Sequence, residues 1–425
     1  MSLQETKYSI FDHMKKSILI FPLVFLSLIG ARSQGLDLQP VVGFQIWSTL
    51  SAGTEYIEQG TNNLRGVDGR WGFQLHRSRL GVKGSVNDRL KFAFIAANDF
   101  VGKDIFDGTI GAPNNTASPR FRLWDAYLIY DLDQGSDLFN LKLGYIVPVV
   151  SRESITSPFK VFTMEKSWSQ NYIRRHMTNN GPGRTVGFNI GGLKVWEDSF
   201  ITFGYDIGAY NAKLGDFDSN SAGRKSSNLI AGRTTVHFGD PEMKTYGQGI
   251  QQLIFDKRRG VTIGLSQAIQ GETDFYDNNS LTGADLLFHW DNISIVGEWA
   301  MLKRTLDNQD IDAEVFFIRA GYLIPLAASK YVSMAISHTS FVGVDTPNEV
   351  AQANVMRTFS GTDRYTEITL SYFMSKKNRL LLSYTLRNGD NGSAMETAIN
   401  NNYFQQSGFT FERPSYFGIG WHVTI

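Results

Sequence analysis

The chain has 425 residues, no cysteine, and 41 lysine and arginine residues against 41 aspartate and glutamate residues. A zero formal net charge gives no reason to expect a nucleic-acid partner, and the lack of cysteine excludes a disulfide framework. The length would allow two or three domains, although all-β barrels of this size are commonly single domains.

The N-terminus has the pattern of a secretory signal peptide. A pair of lysines precedes an apolar run at residues 17–30, and Ala31 and Ser33 supply the small residues of a cleavage site. A transmembrane anchor is the alternative, but the run is shorter than the ~20 residues that a span needs. We expect an upstream extension at residues 1–13, a signal peptide at residues 14–33 and a single mature domain at residues 34–425.

From residue 42 onward, apolar and polar residues alternate in segments of about ten residues. In the first segment, Val42, Phe44 and Ile46 are the apolar members, and in the last every second residue from Phe417 to Ile425 is apolar. Sixteen such segments follow one another, and convincing amphipathic helices are absent. A period of two is typical of membrane-spanning barrel strands. The sequence therefore predicts an all-β fold, a transmembrane antiparallel β-barrel of about 16 strands.

The connections between the segments alternate in length, as tight turns at one rim and long loops at the other would require. Residues 87–88, 133–137 and 291–292 are short connections, whereas 101–120 and 341–363 are long. One connection breaks this rule. Residues 240–259 should be a tight turn, and either a missed pair of strands or an ordered periplasmic excursion would explain their length.

The membrane gives a physical reason for this pattern. In hydrocarbon every backbone N–H and C=O must be paired within the protein. A chain that has no membrane-spanning helix can therefore cross the bilayer only as a closed barrel. The apolar face of each strand then meets lipid. A soluble β-sandwich or jelly roll with an apolar core is the alternative. The barrel predicts that these side chains point outward: Trp124, Leu128, Phe203, Tyr205, Trp299, Phe417 and Trp421.

A long loop separates the alternating segments that end near Tyr145 and begin near Arg184. Between residues 151 and 183 it has five lysines and arginines, two carboxylates and four aromatic residues. Loops of this length are usually functional or disordered, and the aromatic content argues against disorder. We expect residues 149–183 to fold into the barrel as a constriction loop.

Basic residues on the inward faces of the strands and in this loop are the candidate site. An unpaired cation in a narrow, poorly solvated lumen attracts anions more strongly than in bulk water. The alternative is that these cations pair with Asp99, Asp125, Asp206, Glu298 or Glu367 and only stiffen the wall. The predicted pore-lining and anion-binding residues are Arg77, Arg79, Lys83, Lys91, Lys142, Lys160, Arg174, Arg175 and Arg184.

Motifs of catalysis are not found in the sequence. It has no nucleophile elbow, phosphate-binding loop or zinc-binding helix, so we expect neither an enzyme nor a cofactor or metal. His237 and His289 lie on separate segments and fit pore-lining or hydrogen-bonded histidines better than ligands. A barrel-embedded hydrolase and an adhesion or structural barrel with a closed lumen remain alternatives.

Between about Phe73 and Gly192 the sequence resembles the phosphate-selective porins of the O and P type. The resemblance lies in FQLHRSRLGVKGSVNDRLKFAF, RLWDAYLIYDL, LKLGYIVPVVSRESITS and GPGRTVGFNIGG, with His76 where the family commonly has arginine. It implies a sixteen-stranded channel in the outer membrane of a Gram-negative bacterium. It also implies passive diffusion of small hydrophilic solutes, a preference for anions such as phosphate, a homotrimer, and assembly by the barrel-assembly machinery through the C-terminal strand.

Overall fold

The computed structural model describes residues 36–57, 64–111, 114, 120–196, 199–211, 223–247, 249–327, 329–390, 401–406 and 409–425. The expected upstream extension (residues 1–13) and signal peptide (residues 14–33) lie outside the described residues. Within the described part of the chain, no helix is both long and apolar enough to be a membrane span.

Twenty strands and three helices are present in the described residues. The strands are β1 (Asp37–Ser51), β2 (Glu55–Ile57), β3 (Leu64–Gly66), β4 (Arg70–Ser85), β5 (Leu90–Ala97), β6 (Arg122–Asp131), β7 (Asn140–Ile146), β8 (Thr185–Val195), β9 (Ile201–Tyr210), β10 (Leu229–Gly239), β11 (Arg259–Gln270), β12 (Asn278–Trp290), β13 (Ile293–Leu306), β14 (Gln309–Pro325), β15 (Tyr331–Val342), β16 (Thr362–Ser375), β17 (Asn378–Gly389), β18 (Gln405–Gln406), β19 (Phe409–Glu412) and β20 (Tyr416–Thr424). The helices are α1 (Arg152–Ile155), α2 (Ser169–Thr178) and α3 (Pro347–Val355).

Sixteen of these strands form one closed antiparallel barrel, which confirms the predicted fold class and strand number. Each barrel strand pairs with its neighbours in sequence, and β1 closes the barrel by pairing with β20, Gly43 opposite Thr424. The four short strands β2, β3, β18 and β19 form a separate small sheet. Closure pairs the barrel backbone without leaving a sheet edge, as a bilayer requires.

Along β12 to β17, alternation separates an exposed or half-buried face, largely apolar, from a buried one. On β12, Leu286 and Trp290 are exposed, whereas Leu287 and His289 are buried. Four of the side chains predicted to point outward are exposed in the same way: Leu128, Phe203, Phe417 and Trp421. Tyr205 and Trp299 are half-buried, and the Trp299 indole donates to Glu314 on the exposed face of β14.

Trp124 does not follow this pattern, and its predicted outward orientation is wrong. Ile95 of β5 pairs with Asp125, but the next residue, Ala96, pairs with Leu123, so Trp124 is the extra residue of a β-bulge. Trp124 and Asp125 both line the interior cavity described below. The bulge places two consecutive side chains on one face, which strict alternation along the sequence does not allow.

The two rims of the barrel differ as predicted, with two exceptions. We call the end at which β4 turns into β5 the short-turn rim and the opposite end the long-loop rim. At the long-loop rim, β13 and β14 are joined by only Asp307 and Asn308, both with positive φ, as a tight hairpin turn requires. At the short-turn rim, β10 and β11 are joined by a long connection, described at residues 240–247 and 249–258, which adds no pair of strands to the barrel and fits the excursion that the sequence left open.

Candidate pore

The β7–β8 segment, residues 147–184, joins neighbouring strands but contacts distant ones. The Met164 N–H donates to Glu367 Oε1 over 2.7 Å, and the Tyr172 hydroxyl donates to Asp363 Oδ2 over 2.6 Å. Asp363 and Glu367 are buried residues of β16 that alternate with exposed residues such as Ile368. The β7–β8 segment therefore packs on the face of β16 that is opposite to its apolar outer face.

Helix α2 fills the same side of the interior with apolar side chains. Ile173 and Met177 lie in a buried cluster with Leu281, Leu302 and Val315 of β12, β13 and β14. Burying side chains of this size contributes ~1.5–3 kcal/mol each. This half of the barrel is therefore packed like the core of a soluble protein.

A cavity of about 1230 Å³ remains on the other side of the β7–β8 segment. Its lining includes Gly43 and Thr424 near the short-turn rim, and Ile110 and Tyr403 in connections at the long-loop rim. Between them the wall is formed by β4, β5, β6 and β7 on one side and by the β7–β8 segment on the other. The lining thus extends from one rim of the barrel to the other.

Charge is distributed unevenly between this cavity and the rest of the protein. The chain as a whole is neutral, but among the described residues the lining has twelve lysines and arginines against three aspartate and glutamate side chains. The carboxylates are Asp99, Asp125 and Glu165, and the cations are Arg77, Arg79, Lys83, Arg122, Lys142, Lys160, Lys166, Arg174, Arg175, Arg184, Lys377 and Arg413.

Each of the three carboxylates pairs with an arginine of the lining. Asp99 lies 2.5 Å from Arg79 and Asp125 lies 2.8 Å from Arg184. Both arginines also stack on the ring of Trp124, with guanidinium carbons 3.8 and 3.9 Å from its centroid. Some of the predicted cations are therefore neutralised by ion pairs, in line with the alternative that inward cations pair with carboxylates of the wall.

The third carboxylate, Glu165, is bound by two adjacent residues of β4. Gln45 of β1 pairs with Arg77 and Ile46 pairs with Leu75, so His76 is the extra residue of a second bulge. Arg77 Nη2 lies 2.5 Å and His76 Nε2 lies 2.7 Å from Glu165. Burial raises the pKa of this carboxyl, but the charges of Arg77 and His76 outweigh burial and lower the pKa of Glu165 to about 2.

Two buried cations of the β7–β8 segment make no ion pair with a described residue. Lys166 is 3% exposed and Arg174 is 8% exposed, and Arg174 donates to the Ser154 carbonyl. Burial, followed by the charges of Arg184 and Arg77, lowers the pKa of Arg174 to about 9. Burial, followed by the charge of Arg174, also holds the pKa of Lys166 well below its usual value.

The structure brings eight of the nine predicted site residues to this cavity. The exception is Lys91, which pairs with Ser85 beside the short turn and does not line the cavity. Sequence reasoning did not include four further cations in the site: Arg122, Lys166, Lys377 and Arg413. Gln170 and Arg174 lie four residues apart on α2 and both line the cavity, but none of the four missed cations lies on that helix.

A closed barrel of sixteen strands with an apolar outer face and a charged internal cavity is the architecture of an outer-membrane porin. The family model described as Phosphate-selective porin O and P matches residues 57–310, more than half of the chain, and the chain belongs to this family. Its location is accordingly the outer membrane of a Gram-negative bacterium. No curated protein matches the sequence significantly.

Several solved structures share the fold at low sequence identity. The chain is similar to an anion-selective porin from Comamonas acidovorans, with 12% identity, a TM-score of 0.52, and coverage of 92% of this chain and 100% of that one. The outer-membrane channel DcaP of Acinetobacter baumannii has 12% identity, a TM-score of 0.52, and coverage of 92% and 99%. A high-pH structure of Pseudomonas putida OprB has 9% identity, a TM-score of 0.54, and coverage of 92% and 94%.

Proposed function

We propose that the protein is a porin for passive diffusion of small hydrophilic solutes, with a preference for anions such as phosphate. One observation carries this proposal: a cavity lined from one rim to the other has twelve cationic and three anionic side chains. In this proposal the β7–β8 segment, including the expected constriction loop at residues 149–183, narrows the passage. Solutes then cross beside β4 to β7, because α2 fills the opposite half.

The preference for anions depends on the cations that pairing leaves over. Arg77, Arg79 and Arg184 each pair with a carboxylate. Arg174 makes no ion pair with a described residue, lies in the wall formed by the β7–β8 segment, and stays charged at neutral pH because its pKa, though lowered by burial, is about 9. In a narrow site of low dielectric, such charges act on an ion with little screening by water. A guanidinium group can also form two parallel hydrogen bonds to two oxygens of the same phosphate or carboxylate.

The test is the reversal potential across a salt gradient in a planar bilayer. The native protein should be anion-selective, most strongly in dilute electrolyte, because screening over ~10 Å at 0.1 M salt weakens fixed charges. Substituting Arg174→Ala and Arg175→Ala together should move the reversal potential toward zero. If the protein inserts but no current flows across the bilayer, the channel is contradicted. That result is what an adhesion barrel with a closed lumen predicts. A cation-selective channel whose reversal potential is unchanged by the double substitution would contradict only the anion preference.

Assembly is part of the same proposal. We propose a homotrimer, as the family implies, inserted by the barrel-assembly machinery through β20. The alternating apolar residues of β20, including Phe417, Ile419 and Trp421, are exposed on the outer face and form the expected assembly signal. Cross-linking in native membranes, followed by electrophoresis, tests the trimer independently of conductance.

A further inference from the structure

The β10–β11 segment, residues 240–258, is the long connection of the short-turn rim, and it folds back into the barrel. Its residues Ile250 and Leu253 are buried. Leu253 shares an apolar cluster with Phe162 of the β7–β8 segment, against the inner faces of Leu323 on β14 and Phe373 on β16. Two connections that begin at opposite rims therefore meet inside the barrel.

Charged side chains join the two segments. Arg152 donates to both oxygens of Glu242, over 2.7 and 3.2 Å, and Gln252 Nε2 donates to Glu153 Oε2 over 2.8 Å. Arg152 and Glu153 are both 0% exposed. Hydrogen bonds between charged groups in such an environment are stronger than neutral ones. The contact between the segments is therefore specific as well as apolar.

The backbones of the two segments also touch. Thr156 and Ile250 form a parallel bridge. The Lys160 carbonyl accepts from the Leu253 N–H over 2.9 Å and from the Gln252 N–H over 3.1 Å. These bonds attach the stretch from Ile155 to Lys160 to the β10–β11 segment.

The same stretch forms part of the cavity wall. All six residues from Ile155 to Lys160 line the cavity, as does Gly249 of the β10–β11 segment. We propose that the β10–β11 segment supports residues 155–160 from the periplasmic side and thereby sets the width of the passage. Glu242 and Gln252 are the positioning residues. This inference depends on the proposed function, since it assumes that the cavity conducts.

Removing this support should leave the barrel wall intact. Arg152 also donates to Asp285 of β12 over 2.7 Å, and Glu153 lies 2.9 Å from Arg319 of β14. Both buried charges therefore keep a partner on the wall when Glu242 and Gln252 are truncated. An unpaired buried charge, which would destabilise the fold strongly, is avoided.

Single-channel conductance of Glu242→Ala with Gln252→Ala is the test. We expect about a twofold rise over the native protein, with more current noise, because residues 155–160 lose their support and the passage widens. The matched control is Asp291→Asn, which removes an exposed ion pair with Arg259 at the same rim and should leave conductance unchanged. The milder Glu242→Gln keeps the side-chain size and should raise conductance less. Heat-dependent electrophoretic mobility checks that each barrel is folded.

A disulfide provides the rescue. Because the sequence has no cysteine, Thr156→Cys and Ile250→Cys added to the double variant form a unique pair at the bridge between the segments. Oxidation should return the conductance to the native value, and a reducing agent should raise it again.

Two results would overturn the inference while leaving the porin intact. One is native conductance in the folded double variant, and the other is a raised conductance that oxidation of the bridge does not lower. A native protein that never conducts would instead overturn the proposed function, and with it the passage that this segment is inferred to shape.

Discussion

Tyr172 of α2 and Phe341 of β15 stack with parallel rings whose centroids lie 4.0 Å apart. The Tyr172 hydroxyl donates to Asp363 on β16 and accepts from the Tyr403 N–H over 2.9 Å. One side chain thus links α2 to two strands and to the connection that follows β17. The wall that α2 forms beside the cavity is held by ring stacking and by buried hydrogen bonds together.

Substituting Tyr172→Ala should lower the free energy of unfolding by ~3–5 kcal/mol, as truncation of a buried aromatic side chain does. The measurement is urea unfolding of the barrel in lipid vesicles. Tyr172→Phe is the matched control. It keeps the stacked ring and should cost only the ~1–3 kcal/mol of the buried polar groups left without a partner. Equal losses for the two variants would show that the stacking itself does not stabilise the protein.

Substituting Glu165→Gln should strengthen anion selectivity. The change keeps the size of the side chain but removes the negative charge that neutralises Arg77. The reversal potential in dilute salt should therefore shift further in the anion direction, and the shift should fade in concentrated salt. Asp291→Asn also removes one carboxylate but lies outside the lining, so it should not shift the potential. No difference between the two variants would contradict a role for charge at Glu165.

Acid should destabilise the protein through Glu165 and Glu242. The charges of their partners overcome the effect of burial and lower both pKa values from 4.5 to about 2. A carboxyl whose pKa is lower in the folded state stabilises that state above its unfolded pKa. This contribution is lost as the pH falls from about 4.5 to about 2.

Unfolding measured by tryptophan fluorescence between pH 6 and pH 2 tests this dependence. The native protein should lose stability most steeply over the lower half of that range. The double substitution Glu165→Gln with Glu242→Gln should flatten the loss, although it lowers stability at pH 6. A double variant with an unchanged pH profile would assign the acid sensitivity to other carboxylates.

An arginine on the outer face should destabilise the barrel according to its depth in the membrane. Leu128 lies in the middle of β6 and is 49% exposed, so Leu128→Arg should cost ~2–4 kcal/mol. Phe139 is equally exposed but precedes β7 at the short-turn rim, and Phe139→Arg should cost ~0–1 kcal/mol. Folding into lipid vesicles measures both. Equal costs would contradict the depth assigned to these two strands.

The barrel could be predicted from the sequence because lipid imposes a period of two on every strand. The same period was misleading at Trp124, where a bulge adds one residue to β6. A bulge leaves the composition of a strand unchanged, so alternation alone does not show it. His76 is a second example: a bulge in β4 lets His76 and Arg77 reach Glu165 together.

The candidate site was predicted by residue type but not by pairing. Inward cations such as Arg79 and Arg174 could be recognised from their strands and loop. The sequence could not tell that Arg79 pairs with Asp99 whereas Arg174 has no carboxylate partner among the described residues. Such contacts join residues far apart in the chain, and only closure of the barrel brings them together. The inward fold of residues 240–258 was unpredictable for the same reason.

The charge of the lining has a consequence for bulk measurements on this protein. Among the described residues, twelve basic and three acidic side chains line the cavity, whereas the whole chain has 41 of each sign. The excess of one sign inside is balanced by an excess of the other sign in the rest of the chain. Isoelectric focusing responds only to the total charge of a protein, so it would not reveal the sign of the field that an ion meets within the cavity.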